Sequence, residues 1–151
     1  MGAARVGAKG RVYAFEPGAE NFALAQRNVA LNGFGNVTLE RTAVADWPGN
    51  AVLFLSSENL GDHHLYESAE PRSSEAVPVT TIDAYFADKP GGVRLIKIDT
   101  QGSEPRILAG IAADFLRNRD VAALILEYWP RGFIAAGSTP ETFVAQLKRL
   151  D

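Results

Sequence analysis

Residues 121–127, VAALILE, run apolar for six positions and stop on a carboxylate. A continuous apolar run of this kind is the pattern of a central strand in a parallel sheet, covered on both faces. The ending recurs along the chain. RVYAFE ends on Glu16, TLERTAVA leads to Asp46, RLIKI leads to Asp99, and AALIL leads to Glu127. Helical patterns lie between these runs. Residues 19–32 place Phe22, Ala25 and Val29 on one face, and Asn32-Gly33 stops them. Residues 103–118 read as one helix, with Pro105 in its first turn and Ile107, Leu108, Ile111 and Phe115 as its stripe. Residues 139–150 open on a threonine cap and a first-turn proline. Residues 37–45 and 51–56 are further strands. Residues 77–82 read as an edge-type strand because Pro78 cannot donate to a ladder, and a short helix follows at 83–88. The alternation predicts an α/β fold with a parallel sheet, in one domain over 1–151. The polar stretch at 57–76 is too long for an ordinary connection, and loops of that length tend to carry function or lack order.

Composition removes several function classes. A formal net charge of -3 argues against nucleic acid held by bulk electrostatics. No apolar run approaches the ~20 residues that span a bilayer, and the N-terminus lacks the apolar core of a secretory signal. With no cysteine, disulfides, thiolate metal sites and a cysteine nucleophile are excluded. A cytoplasmic protein is expected.

In open parallel sheets, ligands bind outside the carboxyl ends of the strands, where these acids gather. Glu16, between a strand and a helix, suits the two hydroxyls of a ribose. Asp46 suits an exocyclic adenine amine, and Asp99 a cationic centre. For any single acid a helix cap or a surface charge explains the position equally well; the set is the signal. Glu127 has the weakest claim, since no glycine or helix start follows it directly.

The only histidines, His63 and His64, adjoin in the polar stretch. Neighbours in an extended segment point opposite ways, so one of them can reach a site there. Adjacent histidines chelate poorly, and no metal site is expected. Lys97 shares a strand face with Asp99 and is expected to pair with an acid. Tyr128 and Trp129 either line an acceptor pocket or pack in the core.

Taken in order, VYAFEP, ENFALAQRNVALNG, TAVAD, NLGDHHLY, VTTID and LIKIDTQGSEPRILAG resemble the FkbM-type S-adenosylmethionine-dependent methyltransferases. The resemblance implies a Rossmann-like class I methyltransferase sheet that methylates hydroxyls of small molecules or sugars. It implies that Glu16 holds the cofactor ribose and that Asp46, with Ala45 in the AVAD segment, lies at the adenine. It places Asp99 near the methionine end and the reacting methyl. Asp99 and His63 are then the candidates for taking the acceptor's proton, His63 through its pKa near neutrality. Two features depart from the family. The first strand and its Gly-rich loop, and two C-terminal strands, are expected to be missing, so the sheet is read as truncated at both ends and its activity as weak. Gln101 stands where many members carry glutamate. The competing readings are a non-catalytic fragment and a nucleotide-binding module of the NAD oxidoreductase type; the IKIDTQG segment favours the methyltransferase over the latter.

Overall fold

In a computed structural model, residues 2–67 and 71–150 are described. A short helix α1 (Gly2–Val6) precedes strand β1 (Val12–Phe15), which ends at Glu16 where Pro17 and Gly18 break it. Helix α2 (Ala19–Leu31) follows, with Phe22, Ala25 and Val29 half-buried on one side. Its end matches the Asn32-Gly33 signal: Gly33 takes φ +64° and its N–H returns to Ala30 O.

The expected strand at 37–45 divides. Strand β2 (Val37–Glu40) pairs in parallel with β1, whereas β3 (Ala43–Val44) joins a second sheet. The chain changes sheets at Arg41 and Thr42. Arg41 pairs with Glu75 at 2.8 Å, and the Thr42 hydroxyl donates to Pro78 O at 3.0 Å. That second sheet has the order β3-β5-β4, with β4 at Gly49–Leu55 and β5 at Ser73–Thr80. Pro78 therefore sits in a middle strand, not at an edge. Its carbonyl faces Thr42, so its donorless nitrogen lies on the same side, just before the two-residue β3 ladder begins at Ala43↔Val79. The proline thus removes no bond to β4.

Helix α3 (Ile82–Phe86) is capped by Thr81, whose hydroxyl oxygen accepts from Ala84 N at 3.0 Å. The Tyr85 phenol donates to Glu40 at 2.8 Å and so ties this helix to β2. Strand β6 (Leu95–Ile98) leads to Asp99. The expected helix at 103–118 is two helices, α4 (Glu104–Ala109) and α5 (Phe115–Asn118). Gly110 ends the first of them, where a Cβ would stand 2.6 Å from Ala45 O. Asp83 then captures Ala112 N at 2.7 Å.

Strand β7 (Ala123–Leu126) pairs only with β6 among the described residues, in parallel register from Leu95↔Ala123 to Ile98↔Leu126. It is not covered on both faces as VAALILE predicts. Ile125 is 50% exposed and Leu95 on its neighbour 54%, because only one face of the pair meets helices. Helix α6 (Pro130–Ala135), which the sequence reading overlooks, precedes α7 (Pro140–Leu150). Thr139 caps α7 as expected, its hydroxyl accepting from Thr142 N at 3.1 Å.

The architecture is mixed α/β, with three small sheets and seven helices among the described residues. The main core joins Ile96 and Ile98 of β6 to Ile107, Leu108, Ile111, Phe133 and Phe143, with Tyr13 packed against it. A smaller core of Ala43, Ala45, Leu53, Val77 and Val79 fills the second sheet. Among the described residues strand β1 has one partner, β2. No described helix is long and apolar enough to cross a membrane.

Candidate active site

The carboxyl ends of β1 and of the β6–β7 pair carry the acids. Glu16 is held by the backbone turn that follows it: its Oε1 accepts the Gly18 N–H at 3.0 Å. Burial raises the Glu16 pKa above the usual carboxylate range, and Glu75 nearby adds to this; the Gly18 hydrogen bond and His63 oppose it. A Cβ on Gly18 would stand 3.2 Å from Glu16 Oε1 and 3.3 Å from the His63 ring, so this corner is closely packed.

Residues 57–67 of the polar stretch run from the Glu16 corner to the Gln101 loop. Arg72 clasps Asp62, with its guanidinium 2.6 Å from both the carbonyl and the carboxylate. The paired histidines do point opposite ways. His63 lies beside Gly18 and Glu16, and its Nδ1 accepts the Ser56 N–H at 3.1 Å. In the neutral ring the proton is then on Nε2, so His63 presents a donor to this corner and must give up the Ser56 bond to act as a base. His64 is buried (3% exposed), bridges to Phe54, donates from Nδ1 to Tyr66 O at 2.7 Å, and stacks on the Tyr66 ring at 3.9 Å. The Tyr66 phenol then donates to Gln101 O at 3.2 Å. Only His64 and Leu65 lie between His63 and Tyr66, so one short segment touches both the Glu16 corner and the Gln101 loop.

At that second end, Asp99 is exposed and pairs with Lys97, Nζ to Oδ2 2.5 Å. The expected ion pair is present, but Lys97 stands on the open face of β6 and its side chain is 58% exposed, not buried. Glu127 follows β7 next to Asp99, its N–H donating to Ile98 O at 3.1 Å. Burial raises its pKa, the Asp99 and Glu104 charges raise it further, and Lys97 opposes them. Gln101 Nε2 donates to Glu127 Oε2 at 3.4 Å.

Between these residues sits a group that the sequence reading overlooks as a site determinant. Glu104 is 0% exposed. Its carboxylate accepts from Thr100 N at 2.6 Å, Thr100 Oγ1 at 3.0 Å and Gly102 N at 2.9 Å. The signal was present as the final acid of the IDTQGSE segment, but a helix-start acid reads as an ordinary cap.

Asp46 and Ala45 are placed differently. Their backbone abuts Gly110, at the end of α4 remote from Asp99. Six helical residues put that end about 9 Å from the Glu104 end. Asp46 is exposed there. Ala45 is 1% exposed and its side chain lies in the smaller core, so it offers a ligand no side chain. Tyr128 is exposed along one flank, with its ring edge on Phe133 and Phe143, and Trp129 covers Gly132. Among the described residues no group of three or more His, Cys, Asp or Glu is placed to hold a metal ion. A surface hollow lined by Asp83, Asp114, Phe115 and Arg119 among others lies beside residues that precede β6 and β7. That is the amino end of the strands, away from where an α/β sheet binds its ligand.

His64 makes the stability of this region pH-dependent. Burial lowers its pKa below 6.5. Below pH 6.5 the unfolded chain binds a proton that the folded chain refuses, so stability falls with pH, by at most about 1.4 kcal/mol per unit. Glu16 and Glu127 act in the opposite sense at lower pH, since their raised values make the folded chain the first to bind a proton. Urea midpoints between pH 7 and 5 should therefore show a downward slope that His64→Phe flattens. An unchanged slope in that variant would show that another group titrates.

Acids stand at the carboxyl ends of parallel strands in this mixed α/β domain, the edge where α/β sheets bind their ligands. The chain belongs to the FkbM methyltransferase family: the model of the Methyltransferase FkbM domain matches residues 1–144. It is a methyltransferase by this resemblance, which implies a methyl donor and an acceptor. Searches of curated proteins and of solved structures each found no match.

Proposed function

We propose that this chain is a class I, Rossmann-like methyltransferase domain that uses S-adenosylmethionine to methylate a hydroxyl of a small molecule or sugar. The observation that carries the reading is the short His63–Tyr66 segment, which touches both the Glu16 corner and the Gln101 loop that follows Asp99. The donor set fits the nucleoside end of the cofactor. A carboxylate can accept about four hydrogen bonds; the Gly18 N–H and the Asn21 side chain donate to Glu16, which leaves capacity for a ribose diol. Asp46, set apart beyond α4, is assigned to the far adenine end. Asp99 is assigned to the methionine end, oriented by Lys97.

The bound cofactor supplies an electrophilic methyl group on a sulfonium. The chain's part is to align the acceptor and to receive its proton. Asp99 is the exposed carboxylate for that proton. His63, a donor at Nε2 in its neutral form, orients ligand oxygens near Glu16 unless it releases Ser56.

Calorimetric titration with S-adenosylmethionine, its demethylated product and NAD tests the reading. The two methionine compounds are expected to bind and NAD to fail. Glu16→Ala should weaken cofactor binding on the order of ten-fold, the loss of hydrogen bonds to a charged acceptor. Binding of NAD alone would sink the proposal.

A further inference from the structure

We propose that Gln101 and Glu127 together form the subsite for the acceptor hydroxyl, and that the fold holds Gln101 in a strained backbone conformation to build it. The inference rests on the methyltransferase reading and deepens it.

Gln101 has φ +54°. A side chain with a Cβ adopts this region at a cost, and such strain persists only where surrounding contacts impose it. Asp120 is the other described non-glycine residue with positive φ, but aspartate tolerates the conformation through its short polar side chain. Glutamine has no such excuse.

The imposing contacts are on both sides of the residue. Buried Glu104 accepts the N–H groups of Thr100 and Gly102, the two neighbours of Gln101. The Tyr66 phenol fixes the Gln101 carbonyl. The result aims the Gln101 amide at Glu127.

The chemistry of the pair matches a hydroxyl. An alcohol needs an acceptor for its proton and a donor for its oxygen lone pair. Glu127 offers a carboxylate oxygen and Gln101 an N–H, and their mutual contact, 3.4 Å, is long enough to be given up to a ligand. Both side chains are partly exposed. Burial and the neighbouring Asp99 raise the proton affinity of Glu127, which strengthens it as the hydrogen-bond acceptor for the hydroxyl while Asp99 receives the proton.

The test uses the whole chain and the variants Gln101→Gly, Gln101→Asn and Glu127→Gln. Urea unfolding, calorimetry with S-adenosylhomocysteine, and transfer of a tritiated methyl from S-adenosylmethionine to methyl glucoside or glycerol are measured on each. Gln101→Gly removes the strain, so its unfolding constant should fall about five-fold. Gln101→Asn keeps an amide and tolerates the conformation, so its stability should match or exceed the parent's. S-adenosylhomocysteine should bind all variants about as tightly as the parent. The KM for the polyol should rise on the order of ten-fold in Gln101→Gly and Glu127→Gln, the loss of one such hydrogen bond, with partial rescue in Gln101→Asn.

A Gln101→Gly variant no more stable than the parent overturns the strain argument. Unmoved KM values in an active parent overturn the subsite. A parent that binds cofactor but transfers to neither polyol overturns the hydroxyl assignment. A parent that binds no cofactor instead sinks the methyltransferase reading on which the subsite rests.

Discussion

Glu104→Ala is expected to destabilise the chain by about 3–5 kcal/mol, the sum of donors left without their acceptor and of the volume lost from a buried site. The carboxylate has no arginine or lysine beside it. Three donors satisfy it instead: Thr100 N, Thr100 Oγ1 and Gly102 N. Truncation strands them, the Gly102 N–H in a buried place and the two Thr100 donors in a half-buried one, and each orphaned buried donor costs about 1–3 kcal/mol. The loss of side-chain volume adds a cavity cost. Glu104→Gln keeps the volume and one acceptor oxygen but turns an amide N–H₂ toward a donor, so about 2 kcal/mol is expected for it. Urea unfolding of both variants at pH 7 measures the order. An alanine variant within about 0.5 kcal/mol of the parent, the scatter of a neutral surface change, would mean that water or a rearranged loop replaces the carboxylate.

Gly102→Ala carries the second large effect, about 3 kcal/mol. Two costs add. The residue has φ +101°, a conformation that L side chains avoid, worth about 1–2 kcal/mol. The new Cβ would also lie 2.5 Å from Gly132 O and 2.6 Å from Gly132 C. These are backbone atoms of α6, which cannot rotate aside, and overpacking of this kind costs about 1–3 kcal/mol. Gly33→Ala is the control. Its φ is +64° but nothing lies within 4 Å, so about 1 kcal/mol is expected there. Equal losses for the two variants would show that the approach of the Gly102 loop to α6 contributes nothing.

Both predictions concern one loop, and its visibility in the sequence was uneven. The strand LIKI, Asp99 at its end and Pro105 in the following turn are local features, and they lie as read. The role of Glu104 was hidden because its partners precede it in a loop whose shape the residue itself creates. Gln101 looked like a lost charge; its strained backbone and its contacts with Tyr66 and Glu127 exist only once the chain has folded. The helix at 103–118 read as continuous because its apolar stripe is continuous. Its first part ends at Gly110, where the backbone of Ala45, far away in sequence, comes too close for any side chain.

The sequence by itself determined where strands and helices begin and end around Glu16, Asn32, Asp99 and Thr139. Caps, prolines and glycines act on backbone atoms within about four residues, so their signals are local. It also determined that acids would stand at strand ends. Tertiary structure alone decided which strands pair and which faces stay open. It made Pro78 an interior strand residue, left one face of VAALILE exposed, and sent Ala45 into a core. It also set His63 beside Glu16 and Tyr66 against Gln101, contacts that close long stretches of chain. Pairing and burial depend on the sum of many weak contacts between distant segments, and no short stretch of residues carries that sum.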